Sequence, residues 1–300
     1  MEHVAVIVLN YNGAEDTIEC VNSITAAGCS ADVIVVDNAS KGDDLTRLKE
    51  ALPHEAVLLT SAVNLGYAGG NNIGIRYAYD KGYEYICVLN NDTVVTEDFV
   101  LPCVEELERN KDIAFIGPTI INYSDGKVQS TGGNIHINKA YVDCKNNDTE
   151  YSPDPRTIQS DYIGGACMVF RREIIKEFGM IPESYFLFFE ETEWCYRALK
   201  KGYRNICLNT VTLRHKGSAS IDKIGGLNAY LMKRNRIAFL RRNHSIKIYA
   251  FLVYVALCAK AFVTAFLRDW NRIHWIRYYT HGWFKKVDLE KYPFIIIVEE

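Results

Sequence analysis

The chain has 300 residues, is 48% hydrophobic and 12% aromatic, and carries a formal net charge of −3. This length suits one large α/β domain with an extension, or two modest domains. The first residues, MEHVAVIVLNYNG, contain no basic segment, so a signal peptide is not expected. The nine cysteines form no C-x-x-C pair and show no zinc-ligand spacing, which predicts reduced thiols and a cytoplasmic protein.

Residues 1–110 alternate short β-branched runs with amphipathic segments. The predicted strands are residues 4–9, 32–37, 56–60 and 83–92, and the predicted helices are residues 14–27, 43–52, a helix ending near residue 81, and 97–109. Strands that alternate with helices predict a parallel sheet with right-handed crossovers.

Three of the predicted strands end in polar turns, whose sequences are NYNG, DNAS and NNDT. Ligands of open α/β sheets bind beyond the carboxyl ends of the strands, so we expect a polar small molecule at these turns. The first turn has one glycine, Gly13, instead of G-x-G-x-x-G, which disfavours a dinucleotide-dependent oxidoreductase. A loop is predicted over NLGYAGGNNIG (64–74), whose glycines either let the backbone approach a ligand or serve as turn residues.

Residues 113–170 contain shorter, glycine-bearing β-like runs, and the polar segment 122–160 is expected to pass over the pocket. After this region, the stretch FLFFEETEWCYR places Glu190, Glu191 and Glu193 directly after four large apolar residues. One interpretation is a helix N-terminus, where acidic residues favour the macrodipole. The other is a catalytic base at the mouth of a pocket, and both can hold at once.

Two further residues are candidate metal ligands. Asp92 follows an apolar strand beside two asparagines, a position typical either of a turn cap or of a site for Mg²⁺ or Mn²⁺. His215, in RHKGSAS, could add a nitrogen ligand, although an isolated histidine is by default a core or surface residue.

Seven motifs occur together in the order VIVLNYNG, VVDNAS, NLGYAGGNN, LNNDT, GGACMVFRRE, FFEETEWCYR and RHKGSAS. The sequence therefore resembles the family 2 inverting glycosyltransferases, and in particular their rhamnosyltransferase-like branch, over residues 3–242. The resemblance implies a GT-A fold, an α/β architecture with helices on both faces of a Rossmann-like nucleotide-sugar-binding sheet. Residues 1–112 would form the nucleotide-sugar-binding half, residues 113–242 the acceptor and catalytic half, and residues 243–300 a helical, membrane-proximal extension.

The resemblance also assigns roles to individual residues. Asp92 and His215 would hold Mg²⁺ or Mn²⁺, with Asn90 where an aspartate often stands. Glu191 would be the catalytic base and Glu190 its acidic partner. The residues implied to contact the nucleotide sugar are Asn10, Asn12, Asp37, Asn64, Gly66, Asn91 and Asp92, and those on the acceptor side are Gly164 and Gly165.

The residues around the predicted base have expected roles as well. An aromatic wall of Phe186, Phe188 and Phe189 would raise the pKa of a neighbouring carboxylate, because desolvation disfavours the charged form, and would offer a stacking surface to a sugar. Glu193, four residues before Arg197, is expected to form an ion pair on the helix surface.

The implied function is transfer of a sugar from dTDP-rhamnose or a UDP-hexose to a hydroxyl of a glycan or polyprenol-linked acceptor in bacterial surface polysaccharide synthesis. No nucleic-acid partner is expected. The alternative is a non-catalytic protein that binds a nucleotide sugar or glycan with the same fold.

The C-terminal region is basic. Residues 229–286 contain twelve Lys or Arg and one acidic residue, Asp269, a net charge of +11. The apolar run 248–267 could just span a bilayer, but Lys260 near its centre costs roughly 2.5–3.5 kcal/mol on insertion. Tryptophans 270, 275 and 283 suit an interface, so residues 243–286 are predicted to associate peripherally with the anionic cytoplasmic face of the plasma membrane. A buried helix pair is the alternative.

Overall fold

The computed structural model describes residues 3–139, 141–217 and 226–296, so the SAS of RHKGSAS lies outside the described residues. The strands in chain order are β1 Val4–Asn10, β2 Asp32–Asp37, β3 Val57–Thr60, β4 Tyr85–Asn90, β5 Thr93–Val94, β6 Ile113–Asn122, β7 Val128–Ser130, β8 Gly133–His136, β9 Tyr141–Cys144, β10 Ile158–Ser160, β11 Cys167–Arg171 and β12 Arg204–His215. The helices are α1 Ala14–Ala26, α2 Asp44–Ala51, α3 Gly66–Lys81, α4 Val100–Arg109, α5 Glu173–Phe178, α6 Glu190–Lys200, α7 Leu227–Asn243, α8 Lys247–Leu267 and α9 His274–Trp283.

Ten of the strands form one sheet, in which the main order is β10-β12-β6-β11-β4-β1-β2-β3. The four adjacent strands β4, β1, β2 and β3 are parallel to one another, and β6 is parallel to β12. β11 is antiparallel to both of its neighbours, β4 and β6. The parallel sheet predicted from residues 1–110 is therefore confirmed for β1 to β4. The chain reaches β11 through the excursion that carries β7 to β10, without the helical crossover that parallel neighbours need.

Hydrophobic cores cover both faces of the sheet. Val6 and Val8 of β1 pack into one core, while Ile7 packs into the other, together with Trp194 of α6. A strand buried on both faces appears in sequence as a continuous apolar run, which explains why VAVIVL was recognisable. All nine cysteines are free thiols, as expected.

The glycine-rich stretch predicted as a loop is mostly helical. Helix α3 begins at Gly66, and a Cβ added at Gly70 or Gly74 would lie 2.5 Å from the side chain of Leu9 or Ile7, respectively. These two glycines therefore let α3 approach β1 closely. Because both are helical, the predicted role as turn residues is wrong for them.

The C-terminal helices differ in burial: α7 packs closely against α9, whereas α8 is largely exposed. α7 is packed closely against α9, since a Cβ on Gly282 would lie 2.1 Å from the carbonyl oxygen of Arg234. α8 buries Ala250, Ala261 and Ala265, and most of its other side chains are exposed. The alternative of a buried helix pair is therefore wrong for α8. It is long and apolar enough to cross a bilayer by length and composition, with a mean hydropathy of 2.1.

Candidate active site

The polar turns after β1 and β2 are joined by side-chain hydrogen bonds. The amide nitrogen of Asn10 donates to Asp37 Oδ1 at 2.9 Å and to Ser40 Oγ at 3.0 Å. Asn12 accepts from the backbone N–H of Lys41 at 2.7 Å, and its own N–H donates to Ser40 Oγ at 2.8 Å. Asn10 and Asp37 are buried. These interactions fix the turns relative to one another.

A second set of hydrogen bonds joins the β2 turn to the start of α3. The amide nitrogen of Asn38 donates to Asn64 Oδ1 and to the carbonyl oxygen of Gly66, both at 3.0 Å. Gly66 has φ +72°, and a Cβ there would lie 2.1 Å from the carbonyl oxygen of Phe186. Only glycine fits this position. The DNAS turn was recognised, but Asn38 was not singled out from sequence.

These turns border a cavity of about 360 Å³, a volume suited to a small molecule. Its lining residues are Leu9, Tyr11, Asp16, Asn38, Asn64, Gly66, Tyr67, Asn90, Asn91, Asp92, Phe186, Leu187, Lys216, Gly217, Leu227 and Phe294. Asn64, Gly66, Asn91 and Asp92 thus lie where the sequence places them. Asn10, Asn12 and Asp37 do not line the cavity, because their side chains bind the surrounding turns instead. No described residue of 122–160 lines it either, contrary to expectation.

Asp92 and His215 are adjacent at one end of the site. Asp92 Oδ1 lies 3.1 Å from His215 Nε2, and that nitrogen is buried without a hydrogen bond in the described part of the chain. Two neighbouring ligands of an octahedral ion at about 2.1 Å would lie about 3 Å apart. His215 Nδ1 is 2.7 Å from Gln129 Oε1. An amide oxygen only accepts, so this contact suits a proton on Nδ1, and in that tautomer Nε2 is the nitrogen that can bind a metal beside Asp92.

This pair fits a divalent ion that completes its coordination with water and substrate oxygens. No group of three or more His, Cys, Asp or Glu side chains suited to a metal occurs in residues 3–139, 141–217 and 226–296. Lys216, next to His215, also lines the cavity and pairs with Asp16 at 2.7 Å and Glu19 at 2.6 Å. Burial opposes the charge of Lys216, but these hydrogen bonds outweigh it and raise its pKa.

Glu190 and Glu191 begin helix α6, and one carboxylate oxygen of each is buried without a hydrogen-bond partner among the described residues. Burial raises the pKa of Glu190 well above its usual range, and the charge of Glu191 adds to the effect. Burial also raises the pKa of Glu191, partly offset by backbone N–H groups of Glu191 and Thr192. The helix N-terminus is therefore confirmed, whereas neither carboxylate lines the described cavity and the role of catalytic base stays a prediction.

Tyr67 connects the cavity with these carboxylates. It lines the cavity, and its hydroxyl donates to the carbonyl oxygen of Gly165 at 2.7 Å. Its backbone N–H donates to the carbonyl oxygen of Phe186, in the loop before α6, at 2.8 Å. Burial raises the pKa of Tyr67, and the charges of Glu191 and Glu190 add to the effect. Gly165, predicted on the acceptor side, thus contacts a residue that lines the cavity, although it does not line the cavity itself. The described hydrogen bonds do not involve Gly164.

The loop before α6 is strained. Phe186, Phe188 and Phe189 have φ values of +68°, +68° and +77°, which L-residues with large side chains rarely adopt. The fully buried Asn235 of α7 holds this loop, because its amide nitrogen donates to the carbonyl oxygens of Tyr185, Leu187 and Phe188 at 2.7–3.0 Å. Strained backbone of this kind persists only where its surroundings impose it.

The predicted aromatic wall is only partly present. Phe186 lines the cavity and packs near Phe294, whose ring centroid is 6.3 Å away. Phe189 packs against Phe239 of α7, away from the cavity, so its stacking role is not supported. Phe294, 108 positions after Phe186 in the chain, could not be assigned from the sequence pattern.

Glu193 pairs with Arg197 at 2.7 Å as predicted, but it is 2% exposed and does not lie on the surface. Arg242 of α7 also pairs with it at 3.0 Å. Burial opposes ionisation of Glu193. The charge of Arg242, a hydrogen bond from Tyr185 and the charge of Arg197 outweigh burial, so the pKa of Glu193 is lowered. Part of the predicted basic surface is therefore internal, since Arg242 is partly buried and Arg234 is 3% exposed.

A family model described as Glycosyl transferase family 2 matches residues 5–179. The low-salt glycan biosynthesis hexosyltransferase Agl10 of Haloferax volcanii is 27% identical over 206 residues, which cover 67% of this chain and 63% of that protein. The chain thus spans less than two thirds of this relative. The dTDP-rhamnosyl transferase RfbF of Shigella flexneri is 26% identical over 230 residues, 71% of each chain.

Two solved structures are similar in fold. GalNAc-T7 with UDP, GalNAc and Mn²⁺ gives a TM-score of 0.60 at 15% identity, covering 80% of this chain and 48% of that one. The mannosyltransferase PcManGT of Pyrobaculum calidifontis, in complex with GDP-Man and Mn²⁺, gives 0.56 at 16% identity, covering 94% and 86%. The predicted GT-A fold is confirmed by these likenesses.

Proposed function

This chain belongs to glycosyl transferase family 2 and is a glycosyltransferase, and on that premise we propose which reaction it carries out. The donor is a nucleoside diphosphate sugar, dTDP-rhamnose or a UDP-hexose. The acceptor is a hydroxyl of a glycan or polyprenol-linked saccharide, and the product belongs to a bacterial surface polysaccharide. The observation that supports this most is one cavity lined both by Asp92, which pairs with His215, and by Tyr67, which is hydrogen-bonded to the loop before Glu190 and Glu191.

The donor diphosphate would lie near Asp92 and His215. With Mg²⁺ or Mn²⁺ bound, the ion would neutralise the charge that develops on the leaving diphosphate. Lys216 adds a cation at the same wall of the cavity. Asn38 of the β2 turn and Asn64 and Gly66 at the start of α3 would then border the nucleoside. Asn10, Asn12 and Asp37 would support these turns from behind.

Glu191 is proposed as the catalytic base. It takes the proton of the acceptor hydroxyl while that oxygen forms a bond to the anomeric carbon and the bond from this carbon to the diphosphate oxygen breaks. Its raised pKa suits proton transfer near neutral pH, because a base works best when its pKa approaches the working pH. Glu190, more deeply buried, would orient the acceptor.

The enzyme is also proposed to lie on the anionic cytoplasmic face of the membrane through the C-terminal helices. Phe262, Val263, Phe266, Leu267 and Trp270 are 52–74% exposed, at the end of α8 and just after it. Peripheral docking of this side would bring the site to lipid-linked acceptors and avoid placing Lys260 at the bilayer centre.

The test is a thermal-shift panel of nucleoside diphosphates and their sugars, with and without Mn²⁺, followed by acceptor-dependent release of nucleoside diphosphate. We expect one nucleotide series to raise the melting temperature, more so with Mn²⁺. No stabilisation by any nucleotide would remove the donor assignment. Stabilisation without turnover on any lipid-linked acceptor would favour a non-catalytic binding protein, and stabilisation by NAD(H) alone would favour an oxidoreductase.

A further inference from the structure

Four of the five cations of α7 fall into two groups. Arg234 donates to the carbonyl oxygen of Ser184, and Arg242 pairs with a buried carboxylate, so both are part of the packed interior. Lys233 and Arg236 lie one turn apart and are half-buried. Within the described part of the chain, neither of these two has an acidic partner.

Lys233 and Arg236 face aromatic and cationic neighbours. The ammonium of Lys233 is 3.9 Å from the ring centroid of Trp275, and the guanidinium carbon of Arg272 is 4.9 Å from the same centroid. Arg236 donates through Nη2 to the carbonyl oxygen of Lys139 at 2.8 Å. Its Nε is buried and has no hydrogen-bond partner in the regions that the structure describes.

This grouping of charge is unfavourable without an anion. Burial lowers the pKa of Lys233, and the charges of Arg236 and Arg272 lower it further, while burial also lowers the pKa of Arg236. The one described acidic side chain that pairs with any of the three is Asp269, 3.4 Å from Arg272. A phosphate would offer charged acceptors to Lys233 and Arg272, which meet at Trp275, and to the guanidinium of the neighbouring Arg236.

The cluster lies between two surfaces. Trp275 packs with Ala261 of α8, whose neighbouring side chains Phe262 and Phe266 are 55% and 74% exposed. On the other side, Lys139 belongs to the hairpin formed by β8 and β9. That hairpin packs through Ile135 near the loop that precedes the catalytic carboxylates. Cations therefore stand between an apolar surface and the acceptor side of the site.

We propose that Lys233, Arg236 and Arg272 bind the diphosphate of a lipid-linked acceptor whose hydrocarbon chain lies along the exposed side of α8. The inference rests on the proposed function, because it assumes that the acceptor is lipid-linked. It gives the acceptor a binding site separate from the donor cavity, whose lining includes none of these three residues. The saccharide would then extend past the β8–β9 hairpin towards Glu191.

The test measures binding of the full-length chain to phosphatidylcholine vesicles that contain either a polyprenyl diphosphate or phosphatidylglycerol at equal surface charge. The double variant Lys233→Gln/Arg236→Gln should bind polyprenyl diphosphate vesicles about 30-fold more weakly, which corresponds to about 1 kcal/mol for each cation. The exposed pair Lys285→Gln/Lys286→Gln removes the same charge and serves as the control, for which a smaller and equal loss on both vesicle types is expected. The double variant Lys233→Arg/Arg236→Lys keeps both positive charges and should bind nearly as well as the wild type. This result would show that the weaker binding of Lys233→Gln/Arg236→Gln comes from lost charge and not from misfolding.

Equal losses for both double variants on both vesicle types would show that only surface charge matters and would overturn the site. So would unchanged binding of Lys233→Gln/Arg236→Gln. A loss confined to phosphatidylglycerol vesicles would assign the cluster to bulk anionic lipid and reject the acceptor diphosphate. If the wild-type chain binds neither vesicle but is still stabilised by a nucleotide, the lipid site fails while the donor assignment stands.

Discussion

The substitution Glu191→Gln tests the proposed base directly. Glutamine keeps the size of the side chain, and its carbonyl oxygen can still accept from the backbone N–H groups of Glu191 and Thr192 that offset burial in the wild type. It cannot take the proton of the acceptor hydroxyl. A general base contributes about 10²–10⁴-fold in rate, or about 3–5 kcal/mol of transition-state stabilisation. We expect kcat to fall by at least 10²-fold with donor affinity nearly unchanged.

The assay is acceptor-dependent release of nucleoside diphosphate, with donor binding measured by thermal shift and Glu177→Gln, an exposed carboxylate, as the control. In the wild type, kcat/KM should fall as the pH drops through a pKa above the ordinary value of 4.5, because the base must be ionised. If Glu190→Gln abolishes turnover while Glu191→Gln stays active, the base is assigned one position too late. If both remain active, the carboxylates serve only the helix N-terminus.

Glu190 should also carry a stability cost. The pKa of Glu190 is higher in the folded state than in the unfolded state. At any pH above the unfolded pKa, the unfolded chain therefore releases this proton more readily, and the group favours unfolding at neutral pH. Glu190→Gln should therefore raise the melting temperature near pH 7, by about 2 °C for each 1 kcal/mol gained. The difference from wild type should vanish as the pH falls to the unfolded pKa. A lower melting temperature at pH 7 would contradict this reasoning.

Four other changes have expected outcomes. Asp92→Asn should abolish the extra thermal stabilisation that Mn²⁺ gives to the nucleotide-bound protein. Gln129→Leu should weaken metal affinity about 10–100-fold in a Mn²⁺ titration. If both variants keep the metal dependence of the wild type, the metal site is refuted. Asn235→Leu should lower kcat more than donor affinity and cost about 1–3 kcal/mol of stability in chemical denaturation, because buried carbonyl oxygens lose their donor. Phe294→Ala should weaken donor binding roughly fivefold in calorimetry through lost apolar burial, whereas the exposed Phe284→Ala should not.

Local sequence pattern predicted the strands well because β-branched runs buried on both faces are hard to mistake. It could not predict that β11 runs antiparallel, since periodicity carries no information about strand direction. It also failed over NLGYAGGNNIG, where the weak helix propensity of glycine and asparagine argued for a loop. Packing of α3 on β1 overrides that propensity, because the glycines permit an approach that any side chain would block.

The candidate site, like the fold, was predictable only in part. The resemblance pointed to Asp92, His215 and the two glutamates, which lie in short motifs. Gln129, Asn235 and Phe294 reach the site from segments with no motif, so their positions follow only from the folded chain. Asn10 and Asp37 are instructive in the opposite sense. Their motifs were recognised, but their hydrogen bonds are satisfied within the turns, which sequence alone does not reveal.

The region after the matched segment 5–179 determines how the two carboxylates of the proposed base, Glu190 and Glu191, are held. Three phenylalanines of the loop before α6 have positive φ, and this loop would relax if its surroundings released it. The buried carboxylates of Glu190 and Glu191 also repel each other. Asn235 fixes the loop, and Arg242 neutralises Glu193 one turn into α6. Both come from α7, which is clamped in turn against α9 at Gly282. The C-terminal helices therefore maintain the geometry of the proposed base, and a change that disturbs their packing should reduce kcat even where no residue of the cavity is altered.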